Sequence, residues 1–421
     1  MSRKPYTDRA VERYLDKRAG PPLIADKPLQ NLTLSIAIPA YHEPDIIGVL
    51  ENLYRCTPPG CGVEVLVGIN QPETAPAQLI AAHKAQTDTV NTWAGAHRRA
   101  AWRAHAVHLP PLPAEHAGVG LARRLIMDEA LRRLHQAENT RGVIVCLDAD
   151  CRVDGNYLEA LFDLFGKHPD TGACTIYFEH PLDRGTDSDE RIARYEAFLR
   201  YYRLGLHYAG SAHAYHSVGS CLAVRAAAYA RQGGMSRRQA GEDFYFIQKL
   251  IDGEQVATLN TTRVIPSARE SDRVPFGTGR AMHKSRADED ATPFYAPQVF
   301  DDLKAFFTAL PALYTALNAL EERPLSAPMH TFLGARQADT RLLEIKRNAA
   351  SADTFVRRAK RWFNGFLCMK YARFACPAYY PHPAPEQAVA KLLRTAALAN
   401  TGPSASYIDM VRLLRTIDRK H

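Results

Sequence analysis

The chain has 421 residues, 46% of them hydrophobic and 23% charged, which is the balance of a folded globular protein with room for two or three domains. Its formal charge of +8 suits anionic ligands or an anionic membrane surface. The bases are scattered in pairs such as Arg123-Arg124 and Arg357-Arg358. With no zinc-finger spacing and no recognition-helix pattern, that scatter argues against a nucleic-acid partner.

Residues 1–6 are polar and carry no signal-peptide core. Residues 1–30 read as a charged leader with one short helix that ends near Arg18. The run Leu32-Thr-Leu-Ser-Ile-Ala-Ile-Pro39 alternates with period two and predicts the first strand. A loop, Tyr41-His42-Glu43-Pro44, follows, and Asp45 can cap a helix over 46–54. Residues 63–69 predict the second strand, ending in the turn Asn70-Gln71-Pro72. An Ala-rich polar segment predicts a long helix over 75–104, with a short third strand at 107–109. Residues 117–134 predict a helix with Leu121, Leu125, Met127, Leu131 and Leu134 on or near one face.

Val143 to Leu147 is a short apolar run after a glycine, the pattern of a buried parallel strand. It leads into Asp148-Ala149-Asp150, and a helix over 157–165 comes next. Alternating strands and helices at this spacing predict a doubly wound α/β sheet. Beyond residue 178 the pattern loosens into a Tyr- and Arg-rich helix over 187–206, a segment carrying His207, His213 and His216, and a strand at 222–224. Gly241-Glu242-Asp243 then opens a helix to residue 251, with a strand at 256–259 after it. Residues 263–280 form a Gly/Pro/Arg-rich loop. From about residue 294 the pattern is helical only, with breaks expected at Pro311, Pro324, 377–385 and Pro403. The expected division is therefore a leader over 1–30, an α/β domain over 31–285 and a helical domain over 286–421. No apolar run approaches the ~18–20 residues of a membrane span. Eight cysteines at irregular positions, among them Cys146, Cys174 and Cys221 in apolar runs, read as buried thiols, not as zinc ligands.

Two carboxylates one residue apart at the carboxyl end of a buried strand sit where open α/β sheets bind ligands. They repel unless a cation or a set of donors lies between them. Mg2+ or Mn2+ would satisfy them with oxygen ligation and leave positions for substrate phosphates. The competing reading is a polar turn in which Asp150 caps the next helix.

Four pieces in order extend the first reading: Ile38-Pro39-Ala40-Tyr41-His42-Glu43, Asn70, Asp148-Ala149-Asp150, and Gly241-Glu242-Asp243. Together they resemble the family 2 glycosyltransferases with the GT-A fold, over roughly residues 31–285. That resemblance implies a Rossmann-like nucleotide-sugar-binding mixed sheet followed here by a C-terminal all-helical domain. It implies that Pro39, Tyr41, Glu43, Asn70, Arg123, Asp148 and Glu242 bind the nucleotide sugar, with Tyr41 stacking on the base. Asp148 and Asp150 would hold Mg2+ or Mn2+. Asp243 would be the general base that deprotonates the acceptor hydroxyl, with inversion at the anomeric carbon. Asn70 departs from the family's usual Asp; an amide still offers one acceptor and one donor.

Each piece also has a plainer structural reading. Tyr41-His42-Glu43 can be an exposed loop, Arg123 a solvated helix face, and Glu242-Asp243 a complement to the helix dipole. Among His207, His213, His216 and His283, one can be an extra metal ligand or all can be loop and core hydrogen-bonders. Arg269, Arg273 and Arg280 can close over a diphosphate or form a solvated basic loop. The stretch 355–374 mixes bases and aromatics at helical spacing, for an anionic membrane surface or for packing of its apolar face on the catalytic α/β domain.

The expected activity is transfer of a sugar from a nucleotide-sugar donor, a UDP-sugar by resemblance, to a glycan, lipid-linked or small-molecule hydroxyl. The expected location is the cytoplasm, with peripheral contact at the inner membrane face left open. The alternatives are a non-catalytic sugar-nucleotide sensor or scaffold, and a nucleotidyltransferase. The last would want a Gly-rich loop with Arg and Lys after the first strand, which residues 39–43 lack.

Overall fold

The computed structural model describes residues 8–183, 185–239, 241–269, 293–315, 324–399 and 406–420. They form two compact units: the described residues of Met1–Pro181 with Ser217–His283, and those of Leu182–His216 with Lys284–His421. The first unit holds one eight-stranded sheet. Its strands are β1 (Leu32–Ala40), β2 (Gly62–Ile69), β3 (Trp102–His108), β4 (Val143–Cys146), β5 (Arg152–Val153), β6 (Thr171–Phe178), β7 (Leu222–Arg225) and β8 (Gln255–Ile265). The order across the sheet is β3-β2-β1-β4-β7-β6-β8-β5. β3, β2, β1 and β4 run parallel, β7 is antiparallel to β4 and β6, and β8 is parallel to β6.

β1 and β4 lie at the centre because nothing in them resists burial on both faces: Leu34, Ile36, Val143, Ile144 and Val145 are all buried. Pro39 sits near the end of β1. It lies opposite Gly68 on β2, beyond the last residue paired with β4, Ala37. Its missing N–H therefore breaks no ladder on the β4 side. Helices α2 (Ile46–Tyr54), α3 (Ala77–Ala96), α4 (Val119–Gln136), α5 (Tyr157–Lys167), α7 (Ala226–Arg231) and α8 (Glu242–Gly253) belong to this unit, as does α1 (Asp8–Arg18). On α1, Val11 and Tyr14 are buried, and the Tyr14 hydroxyl donates to Asp128 on α4 at 2.8 Å.

β2 carries the one charge of the central strands whose burial is complete, Glu64. Arg133 of α4 donates to it from Nε at 2.5 Å and Nη2 at 3.0 Å, and the Leu29 backbone N–H donates at 2.9 Å. Arg133 Nη1 also donates to the Asp26 carbonyl at 2.8 Å. A buried charge is tolerated only with such partners, so this pair ties residues 26–29 to the sheet.

Three elements differ from the sequence expectation. The long helix stops at Ala96, and the third strand begins at Trp102, within the stretch expected to be helical. The reason is the edge position: Trp102, Ala104 and Ala106 are buried while Arg103 and His105 are less so, a period of two that alanine richness conceals. β6 adds a strand where the sequence pattern predicts none, and it is buried along its whole length. β8 extends well beyond residues 256–259, and β5 adds a short edge partner.

The second unit is helical. It contains α6 (Asp187–Tyr208), α9 (Gln298–Thr315), α10 (Ala327–Gly334), α11 (Ala338–Arg347), α12 (Ala352–Trp362), α13 (Gly365–Ala375), α14 (Pro385–Thr395) and α15 (Tyr407–Asp418). α9 runs through Pro311, where a break was expected; burial of Leu310 and Leu313 holds the helix together despite the missing N–H. α12 presents Phe355 and Ala359 to the helical core and leaves Arg357, Arg358 and Arg361 exposed. Its apolar face thus packs within the helical core, where packing on the α/β domain was the expectation, because the neighbouring helices supply the aromatic partners. No helix among the described residues is long and apolar enough to cross a membrane.

Two substitutions test these contacts. Arg133→Met leaves Glu64 charged and buried, and should cost about 3–5 kcal/mol of stability by urea denaturation. Gly205 of α6 lies against the Phe300 ring, where an added Cβ would come within 2.4 Å. Gly205→Ala should therefore lower stability by about 1–3 kcal/mol, read as a drop in Tm with no change in the unfolding slope.

Candidate active site

The candidate site forms where β1, β2 and β4 end and α8 begins. The Asp148-Ala149-Asp150 turn follows β4 directly, as a strand-end acid pair requires. The Cys151 N–H donates to the Asp148 carbonyl at 3.1 Å, which closes the turn. Asp148 is 37% exposed at its side chain and Asp150 32%.

Arg123 joins the two acidic motifs. It lies in the first turns of α4, is only 3% exposed, and donates from Nη2 to Asp148 Oδ1 at 2.6 Å. Its Nη1 donates to Glu242 Oε1, and Glu242 is itself buried. The solvated-helix reading of Arg123 is therefore wrong, and so is the reading of Glu242 as an exposed complement to the helix dipole. Burial opposes the Arg123 charge, but Asp148 and Asp243 beside it raise its pKa. Three glycines make room for this arrangement. A Cβ on Gly219 would lie 2.8 Å from both terminal nitrogens of Arg123, and one on Gly118 or Gly120 would strike the backbone of Gln239 or Arg238.

Asp243 stands next to Glu242 in the first turn of α8. Gly241 enters that helix in the left-handed region at φ 70°, a conformation that glycine adopts without strain. Asp243 Oδ1 accepts from the Phe244 N–H at 2.7 Å. Burial raises its pKa above the usual carboxylate range, Arg123 works in the opposite direction, and Asp148 adds to the rise.

Glu43 and Asp150 meet on a second guanidinium. Arg269 Nη2 lies 2.6 and 2.8 Å from the two Glu43 oxygens and 3.3 Å from Asp150 Oδ2. Burial pushes Asp150 up to about 6, with Asp148 and Glu43 adding to the rise and Arg269 countering it. A cation shared by these carboxylates shows that the site accepts positive charge here. Among the described residues no group of three His, Cys, Asp or Glu side chains converges as a ready metal cage. The donor set therefore fits a hard divalent ion that takes one or two carboxylates and completes its shell with phosphate and water.

Tyr41 and Asn70 border the other side. The Asn70 backbone N–H and its Nδ2 both donate to the Ala40 carbonyl, at 2.9 and 2.8 Å, so the side-chain amide is oriented by the end of β1. Tyr41 packs edge-on to His83 of α3 at 5.6 Å between ring centroids. His83 and His108 both approach Gln71 Oε1, at 3.4 and 2.9 Å. Burial lowers the pKa of His83 and keeps it neutral. Nothing in the Ala-rich pattern of α3 signals that His83 would lie here. His42, at φ 52°, turns the chain between Tyr41 and Glu43.

Of the histidines considered as metal ligands, His207, His213 and His216 belong to the helical unit, where His216 Nε2 bonds Asp418 at 2.9 Å. Arg273, Arg280 and His283 lie outside the described residues.

A mixed sheet of this order, with an acid pair closing its fourth strand and an acidic helix start beside it, agrees with the GT-A-like sheet that the sequence resemblance implies. Residues 143–308 match the family model described as glycosyl transferase family group 2. That match covers less than half of the chain and includes both the Asp148-Ala149-Asp150 turn and the Gly241-Glu242-Asp243 helix start.

Among solved structures, the chain is similar to S. aureus TarS 1-349 in complex with UDP-GlcNAc, at 14% identity over 79% of this chain and 93% of that one, with a TM-score of 0.40. It is also similar to the mannosyltransferase PcManGT from Pyrobaculum calidifontis in complex with GDP-Man and Mn2+, at 20% identity, 84% and 92% coverage, and a TM-score of 0.36. Likeness at this level does not carry over a donor. Comparison with curated proteins gives no match.

Because Arg123 has no room to retreat, Gly219→Ala should displace it. We expect a loss of about 1–3 kcal/mol in thermal unfolding, accompanied by weaker ligand-induced stabilisation. Unchanged stability would show that the space around the guanidinium is not tight.

Proposed function

We propose that the protein transfers a glycosyl group from a nucleotide-sugar donor, a UDP-sugar, to an acceptor hydroxyl with inversion at the anomeric carbon. The observation that carries this reading is the sharing of one buried guanidinium, Arg123, by Asp148 and Glu242. It brings a phosphate-side acid pair and a candidate base into one site.

In this reading Tyr41 stacks on the base. Asn70 presents its side-chain oxygen to a base N–H, because its amide nitrogen is committed to Ala40. Pro39 and Glu43 shape the floor between base and diphosphate. Asp148 and Asp150 would hold Mg2+ or Mn2+, whose charge would offset the negative charge that develops on the leaving diphosphate. Asp243 accepts the proton from the acceptor hydroxyl as that oxygen attacks. Burial makes it a stronger base than an ordinary carboxylate. Arg123 holds Asp148 and Glu242 in place and offsets part of their negative charge. The acceptor's class, whether glycan, lipid-linked sugar or small molecule, is left to experiment. The helical unit, with the exposed bases of α12, is where an anionic acceptor or membrane surface would be sought.

The reading is tested first by thermal unfolding with UDP, GDP, CDP and ADP, each with and without Mn2+. A bound nucleotide at ~100 times its dissociation constant should add about 2.7 kcal/mol. We expect UDP with Mn2+ to give the largest rise in Tm. No rise with any nucleotide would favour the scaffold alternative.

For the base, Asp243→Asn should lower kcat by about 10²–10⁴-fold while nucleotide binding persists. The sign of the pH dependence follows from the raised pKa of Asp243. Protonation disables the base, so kcat should fall as pH drops through a value above the ordinary carboxylate range. That acid limb should disappear from the residual activity of Asp243→Asn.

A further inference from the structure

The two arginines of the site differ in a way the proposed reaction does not by itself require. Arg123 is buried to 3% exposure, with Gly219 directly against its guanidinium, so leaving its partners would strand a buried charge. Arg269 is 33% exposed at its side chain, and it makes its contacts with Glu43 and Asp150 through one terminal nitrogen. A guanidinium with a third of its surface in water can leave at modest cost, since solvent replaces part of what it loses. The carboxylates it would leave are the ones a hard cation would seek, and a positive charge must stand beside them in either state.

We propose that Arg269 is an exchangeable counter-ion. Before the donor binds, it neutralises Glu43 and Asp150. It then yields Asp150 to the divalent cation that accompanies the donor and pairs with the donor's diphosphate. Arginine suits both positions because its planar fork matches carboxylate and phosphate alike. The exchange rests on the nucleotide-sugar reading. It adds that cation and guanidinium compete for the same acids in the absence of nucleotide and cooperate once the diphosphate is present.

The test compares wild type, Arg269→Gln and Arg269→Lys. Mn2+ binding without nucleotide is followed by electron paramagnetic resonance of free Mn2+, and UDP binding at saturating Mn2+ by calorimetry. Removing the competing charge should tighten Mn2+ binding to Arg269→Gln at least threefold over wild type, with Arg269→Lys in between. UDP binding to Arg269→Gln should weaken at least tenfold. Mn2+ affinity that is unchanged or lower in Arg269→Gln would overturn the exchange. Tighter Mn2+ binding with unaltered UDP affinity would overturn the pairing of Arg269 with the diphosphate. The wild-type UDP titration in the same series reports separately on the nucleotide site. Its failure would remove the donor reading, whereas the competition between Arg269 and Mn2+ is judged by the metal titrations alone.

Discussion

The site depends on a charge that cannot leave. Arg123 is buried, and so is Glu242; either one alone would carry a large desolvation penalty. Paired, they fix the start of α8 against α4, and the second arm of the guanidinium fixes the turn after β4. Asp148 and Asp243 come from motifs far apart in the chain, yet their mutual placement follows from one side chain with two rigid arms. Gly219 lets the backbone approach that side chain closely, while Gly118 and Gly120 let the segment at Arg238 and Gln239, which leads into α8, lie against the start of α4. A site held this way keeps its acids near one another around a shared positive charge.

The same principle recurs in the helical unit. Asp418 on α15 is bonded by Arg200 and Arg203 of α6 and by His216, while Glu196 pairs with Arg200 and Arg415. Burial opposes the Asp418 carboxylate, but His216 and the two arginines hold it well below the usual carboxylate range. A buried network of this kind is a costly way to add stability but a selective one, since only one register of α15 on α6 satisfies every charge. The aromatic core around Phe300, Phe306 and Phe363 supplies the apolar burial that this network does not.

The legible parts of the site were those in which local pattern and chemistry coincide. The apolar run before Asp148 and Asp150 marks a buried strand, and the alternation of such strands with helices gives the fold class, while the role of the two acids stays open between a ligand site and a polar turn. Gly241-Glu242-Asp243 was readable as a helix start for the same reason. β6 was missed because its Thr-Gly-Ala-Cys beginning carries no alternation, although every residue is buried. β3 was misplaced because Trp102 to His108 is rich in residues that suit a helix and gains its strand form only by pairing with β2. Arg123 was recognised as a candidate, but its burial was not, since a helical Arg next to another Arg looks solvated until its neighbours are known.

What the amino-acid sequence determined by itself was the order of strands and helices near the sheet centre, the chemical kind of each motif, and the resemblance they jointly carry. Those properties are local, because they rest on periodicity and on residue type within a few positions. What only the tertiary structure decided was which acid meets which base. Arg123 reaches both Asp148 and Glu242, and Arg269 reaches Glu43 and Asp150 across more than a hundred positions of chain. It also decided that α6, which lies between strands of the sheet in sequence, is a core helix of the other unit. Contacts of this kind depend on burial and close approach between distant segments, and neither quantity is encoded in any short stretch of sequence.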